Sequence, residues 1–478
     1  MNELNGRTTS TIKTLYQRWA LPLACATALA LPLRLNLSYV ALVPLILLWA
    51  FSKARTGILE GDGGHPGTRI GWFYLVAMLG AVFSINPLTS GVRAFSAGIF
   101  VGIIFVIYDV CRSSPVPLRN CLYILAATLT GQSIAALHTF LQSSAPEIVP
   151  RLFVGAMSES GQLALAIPVA VGLLIASRPD PSGAPTLLVT SPKLIKAYCW
   201  GAVHLALMLL CGFILRDSTD TMLRFMAAAL VLVSLTATLL WSWGYWKVSE
   251  RLGGHLIIAS SVLPLLLAAL LLNLKRGPWV GVIIGVTIVI LRFRPRIVAP
   301  LALVVLITSL SITPIRDRLL AAHDHFVIAG GRSEMWEIGY ELAARYPLGI
   351  GFKNSPLLRS FSTDIPPEHK HFHNNLLNIL VETGWIGISV YLWWVIHLLR
   401  SAFRNASKDR SVTTDLAVAI GCGLLASQVA GLVEYNFGDS EVRYLVFLYC
   451  GALGALATAA RSKDGSLKAT GSGDPSGS

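Results

Sequence analysis

Three histidines alternate in His369-Lys-His-Phe-His373, directly ahead of Asn374-Asn-Leu-Leu-Asn-Ile-Leu-Val-Glu-Thr-Gly384, whose apolar residues have helical spacing. Pro366-Pro367 halts regular structure upstream, and Asn374 can cap a helix running through Leu376, Leu377, Leu380 and Val381. His373 then stands at the mouth of that helix, where partial positive charge and unpaired amides favour anions and tend to keep a nearby imidazole neutral. A neutral imidazole near pH 7 accepts a proton, so general-base chemistry is one reading; an interfacial histidine that only hydrogen-bonds a loop is the other. A metal site is a third reading, since His323-Asp-His325 adds two more imidazoles. Alternating histidines converge only on an extended segment, and a His373 that starts a helix turns away from such a set. No metal ligands are assigned and no cofactor is expected.

The second group of chemically capable residues is cationic. Lys275 and Arg276, in Lys-Arg-Gly-Pro-Trp279, sit in a very short turn between two strongly apolar runs. Proline is pre-organised for the first turn of a helix, and glycine lets a ligand approach the backbone. An anionic ligand at a membrane surface is the physically sensible counterpart of such a pair. Arg151, Arg216, Arg316, Arg318, Arg332, Arg345, Arg359 and Lys370 lie on the same side of the expected topology. For these, a long translocated loop or snorkelling to headgroups is the plainer account.

The elements that must position these residues are membrane helices. Of the 478 residues, 54% are hydrophobic and 13% charged, against about a quarter charged in soluble domains. Apolar runs of about 15 to 26 residues recur, as in helical spans and unlike ten-residue barrel strands. Spans are expected near 19–33, 38–52, 70–85, 93–110, 119–140, 161–177, 195–215, 222–244, 256–274, 279–291, 297–313, 374–399, 413–433 and 444–460. The polar, basic start through Arg18 leads into a first span without a small-residue cleavage site, and is read as retained. With the N-terminus in the cytoplasm, Lys53, Arg55, Arg112, Arg178, Lys247, Arg292, Arg400 and Arg404 fall in cytoplasmic loops, as the positive-inside rule requires. The net charge of +13 is therefore a matter of topology and anionic lipid, and no nucleic-acid module is visible. The seven cysteines fall mostly in apolar runs without metal-ligand spacing and read as small core residues. The fold class is an all-α polytopic bundle of about 12–14 spans. Residues 1–313 form an N-terminal bundle, 314–372 a large outer loop, 373–460 C-terminal helices, and 461–478 a disordered cytoplasmic tail. Within the loop, Ser333–Arg345 has helical spacing and could lie over the bundle as a lid.

His373-Asn374, nine residues, then Gly384-Trp-Ile-Gly387 resembles the His-Asn-x9-Gly-x-x-Gly signature of bacterial O-antigen ligases. Arg276-Gly277 is similar to that family's Ser-Arg-Gly turn, with Lys275 in the place of the family's small polar residue. Gly331-Arg332, Trp336 and Pro347-Leu-Gly-Ile-Gly351 resemble its periplasmic loop. The similarity is close over about residues 150–400, and the expected span count exceeds the family's twelve. O-antigen polymerases and protein O-oligosaccharyltransferases share the large-loop architecture.

The resemblance implies a GT-C-like glycosyltransferase of the bacterial inner membrane, with its active site facing the periplasm. It would move O-antigen glycan from undecaprenyl diphosphate to a sugar hydroxyl of lipid A core, with membrane lipids around it and no nucleic-acid partner. Arg276 and Arg332 would neutralise the departing diphosphate in place of a divalent ion, and His373 would deprotonate the acceptor hydroxyl in a single inverting displacement. Lys275, Arg316, Arg318, His371, Arg151 and Asn374 would contact phosphates or core sugar, with Trp336 and Phe372 as stacking candidates. A polymerase or a protein O-oligosaccharyltransferase is the alternative within this chemistry. A polytopic transporter is the alternative outside it, although its ionisable residues belong near the bilayer midplane.

Overall fold

The computed structural model describes residues 2–53, 66–142, 154–175, 196, 197, 199–201, 203–207, 221–246, 257–293, 316, 317, 320, 331–355, 370–404 and 411–470. Arg151, Arg318, His369, the His323–His325 pair and the expected span at 297–313 lie outside them. Among the described residues the regular structure is all helical, and its principal elements are α1 (Asn2–Ala30), α2 (Leu35–Lys53), α3 (Pro66–Gly80), α4 (Pro87–Ile99), α5 (Gly102–Cys111), α6 (Pro115–Gln142), α7 (Ala156–Ile175), α8 (Thr221–Trp246), α9 (Leu263–Leu272, led by a π turn over Ile258–Val262), α10 (Arg276–Phe293), α11 (Arg332–Arg345), α12 (Asn375–Phe403), α13 (Val412–Ala430) and α14 (Ser440–Thr470). The protein is a polytopic helical membrane protein.

Seven described segments are long and apolar enough to cross a bilayer: Leu35–Lys53, Pro87–Cys111, Val116–Leu137, Ala156–Leu174, Asn375–Phe403, Thr413–Ala430 and Ser440–Ala459. Gly67–Phe83 and Ile258–Leu272 are shorter apolar helices. The expected span at 222–244 falls within α8, and the one at 19–33 overlaps α1, which ends at Ala30. The last helix continues to Thr470, into the stretch assigned to a tail.

Three helices form the frame of the site. Gly277, Gly281 and Gly285 recur every fourth residue on α10, and a Cβ on each would run into the carbonyls of Ala430, Ala426 and Cys422 on α13. Gly423 of α13 is in turn pressed against the Leu165 carbonyl of α7. Lipid tails are as apolar as the helices, so close backbone approach between small residues is what holds such helices together. The consequence is a fixed register, with the start of α10 beside the end of α13. At the far end the same two helices are locked by Arg292, whose Nε and Nη2 donate to Asp415 Oδ1 at 3.0 and 2.7 Å.

The fourth part of the frame is a break in α12. Gly384 has φ 68° and ψ −174°, a conformation essentially reserved for glycine, and it interrupts the helix. The stretch after α11 docks there: Ile350 and Gly351 N–H donate to the Val381 and Glu382 carbonyls, and Trp385 N–H donates to the Pro347 carbonyl. Gly349 and Gly351 also have positive φ, of 90° and 106°. Thus the Pro-Leu-Gly-Ile-Gly and Gly-x-x-Gly motifs are two halves of one backbone joint. Phe73, Phe352, Tyr391 and Phe437 pack edge to face around it, with centroids 5.1–6.5 Å apart.

Candidate functional site

At the end of the bundle where α10 begins, α12 begins and α13 ends, the structure gathers most of the residues singled out from sequence. Asn374 caps α12, its side-chain oxygen accepting from Leu376 and Leu377 N–H at 2.9 and 3.1 Å. Asn378, one turn on, accepts from Phe372 N–H at 2.8 Å, and Trp336 of α11 donates its indole N–H to the Phe372 carbonyl at 2.9 Å. Phe372 itself is fully buried. Trp336 and Phe372 therefore anchor the histidine segment from below. His373 has φ 49°, so its side chain is fixed at an unusual backbone angle by these flanking clamps.

The partner that His373 meets is Glu434, in the short connection between α13 and α14. His373 Nδ1 lies 3.4 Å from Glu434 Oε2, and Arg332 Nη2, at the start of α11, lies 3.2 Å from Glu434 Oε1. Gly277 packs against Val433, the Ala430 carbonyl and the Glu434 side chain, so Arg276 and Lys275 stand beside the same turn. Burial on its own pushes the Glu434 carboxyl up, but the His373 hydrogen bond and the neighbouring Arg332 and Lys275 charges outweigh it and hold the group below the usual carboxylate range. One buried carboxylate thus gathers Arg332, His373 and Lys275 from three separate elements.

His371 completes the cluster. Its ring meets that of His373 edge on, 4.2 Å between centroids, and lies 5.6 Å from Tyr435. Its Nδ1 accepts the His373 backbone N–H at 3.2 Å. Tyr435 donates to Glu382 at 3.2 Å, and Glu382 also accepts from Lys353 N–H and the Ser355 hydroxyl at 2.9 and 2.6 Å. Lys353 Nζ reaches the Gly438 carbonyl at 2.8 Å. The stretch 332–355 is therefore tied at both ends to the turn that carries Glu434. On the other side of α13, Asn375 donates to Asn436 and accepts from Phe437 N–H, which fixes that turn against α12.

Arg316 is ion-paired with its neighbour Asp317 at 3.0 Å. Arg151 and Arg318 cannot be placed, since they lie outside the described residues. Among the described residues no group of three or more histidine, cysteine or acidic side chains is arranged to hold a metal ion. Glu434 is the residue that sequence reasoning passed over. Its signal was an acid in a short connection between two apolar runs, on the side where unbalanced cations had already collected.

A family model for O-antigen ligase matches residues 260–392, from the π turn before α9 to the middle of α12. Over this segment the chain is similar to the O-antigen ligase family. No curated protein sequence matches the chain. The O-antigen ligase match contains Lys275, Arg276, Arg332, His371, His373 and Asn374, whereas Glu434 follows it in sequence and joins it only in space. The match supports an enzyme of glycan ligase or polymerase type, a multi-pass membrane protein working with lipid-linked glycan and membrane lipids.

Proposed function

We propose that the protein is an O-antigen ligase that transfers glycan from undecaprenyl diphosphate to a sugar hydroxyl of lipid A core at the periplasmic face of the inner membrane. The observation that carries this reading is the convergence of His373 with Arg332 on one acid, beside the Lys275-Arg276 turn. A diphosphate leaves readily once its developing charge is neutralised, and a planar guanidinium matches phosphate oxygens while staying charged at any working pH. Arg276 and Arg332 take that role, with Lys275 beside them. His373, with Nδ1–H directed at Glu434, presents Nε2 as the basic nitrogen to the acceptor hydroxyl. The oxygen attacks the anomeric carbon as the proton passes to Nε2 and the C–O bond to diphosphate breaks, inverting the centre. No metal ion is needed for this sequence of events. His371 and Asn374 border the acceptor side.

The test uses purified protein in detergent with undecaprenyl-diphosphate-linked glycan and lipid A core, in the presence of chelator. Wild type should transfer glycan to core, and His373→Ala should fall about 10²- to 10⁴-fold, the usual size of general-base help. Arg276→Lys should fail too, because a point charge cannot replace a bidentate fork. Transfer only between lipid-linked glycans would replace this reading with a polymerase, and loss of transfer in chelator would overturn the metal-independent route.

A further inference from the structure

Glu434 divides its two oxygens between His373 and Arg332, and that division has a chemical consequence once a diphosphate arrives. We infer that Glu434 is a positioning residue whose hold on His373 tightens when the donor diphosphate draws Arg332 away from it. This rests on the ligase reading above. Both contacts are long for charge-assisted bonds, 3.2 Å to Arg332 and 3.4 Å to His373, against about 2.7–2.9 Å for undivided pairs. Glu434 is 6% exposed and cannot follow a ligand out of its turn, whereas the Arg332 side chain is 26% exposed and is the partner that a ligand can reach. Arg332 also lies on α11, a different element from the turn, so it can change partner without moving Glu434. The carboxylate left behind has then lost its direct guanidinium partner and keeps its hydrogen bond to His373. Proton affinity at Nε2 rises only in the donor-bound state, so the base is strengthened when there is a glycan to transfer.

Among the described residues, the charged and titratable groups around His373 include Glu434 on the connecting turn, Arg332 on α11, Lys275 and Arg276 at the start of α10, His371 on its own segment and Tyr435 beside it. Of these, Arg332 is the cation in direct contact with a Glu434 oxygen that a diphosphate also attracts. A bound diphosphate also acts on His373 directly, and that contribution persists without Glu434. The two are separable by variant.

The full-length protein in detergent is treated with diethylpyrocarbonate over a pH series, with and without undecaprenyl diphosphate, and carbethoxylation of His373 is followed by peptide mass spectrometry. Binding of the lipid is measured on the same samples, and thermal unfolding confirms that each variant is folded. In wild type the pH midpoint should rise by about one unit on binding, as when an opposite charge closes on an ionisable group. In Glu434→Gln the rise should be half of that or less. In Arg332→Gln the midpoint should already be high without lipid and gain only the Glu434→Gln increment with it. An equal rise in wild type and Glu434→Gln, with lipid bound to both, overturns the exchange while leaving the donor site standing. Absence of lipid binding to wild type overturns both.

Discussion

Asn374 does two things at once. Its side chain caps α12, and its position fixes the residue before it at the mouth of that helix. Replacing an asparagine cap by alanine costs about 1 kcal/mol, a loss that the long, buried α12 can absorb. Asn374→Ala should therefore remain folded with a slightly lower melting temperature, while transfer falls more than stability does because His373 loses its seat. Parallel melting and transfer assays check this. Asp439, after the same turn, behaves differently. Burial pushes its carboxyl up to about 6, against the weaker opposing effect of the Ser158 hydroxyl that donates to it. An acid whose folded value lies above its unfolded one binds more protons when folded, so stability declines as pH rises from about 4 to 6 and stays lower above it. Asp439→Asn keeps an acceptor for Ser158 and should flatten that part of the stability–pH curve, raising the melting temperature at pH 8. A steeper curve in the variant would contradict the assignment.

At the scale of elements, the two joints are the α10–α13 seam and the break in α12. A methyl group on Gly281 meets the Ala426 backbone, which cannot give way as a flexible side chain would. Gly281→Leu should separate α10 from α13, weaken the protein in detergent and pull Arg276 away from Glu434. Gly384 presents a different problem, since its φ of 68° disfavours any side chain and an added Cβ also meets the Pro347 carbonyl and Leu348. Gly384→Ala should lose transfer and lower the melting temperature by several degrees. Limited proteolysis between 346 and 355 would show whether the docked stretch has been released, and an unchanged digest would argue against the joint.

At the scale of the whole molecule, ion pairs among the described residues stand at both ends of the helix frame. At one end stand Lys275, Arg276, Arg332, His373 and Glu434; at the other, Arg292 with Asp415 and Lys53 with Asp109. Arg292 and Asp415 are 7% and 0% exposed, so removing one partner strands a buried charge at a cost of about 3–5 kcal/mol. Asp415→Asn should therefore lower stability far more than a surface change, although it lies a full helix length from the site. Transfer per folded molecule should be retained. A selective loss of transfer with normal stability would mean that the two ends are coupled in a way the helix frame does not provide.

Hydropathy and charge placement were enough to establish a polytopic helical bundle, because the cost of burying unpaired backbone in lipid leaves a span few alternatives. The cap at Asn374 was equally legible, since capping depends on residues only a few positions apart. The sequence also pointed to Lys275, Arg276 and His373 through their types and placement, and joined Arg332 to them only through the resemblance to a known family. It did not reveal Glu434, which is 61 residues from His373 and 102 from Arg332, because contact between distant residues is decided by helix register. That register comes from which small residues on α10, α13 and α7 interlock, and from a backbone joint between two glycine motifs some thirty residues apart. Trp336 shows the same limit from the other side. Its type suggested sugar stacking, and only the packed structure shows its indole turned inward to hold the histidine segment.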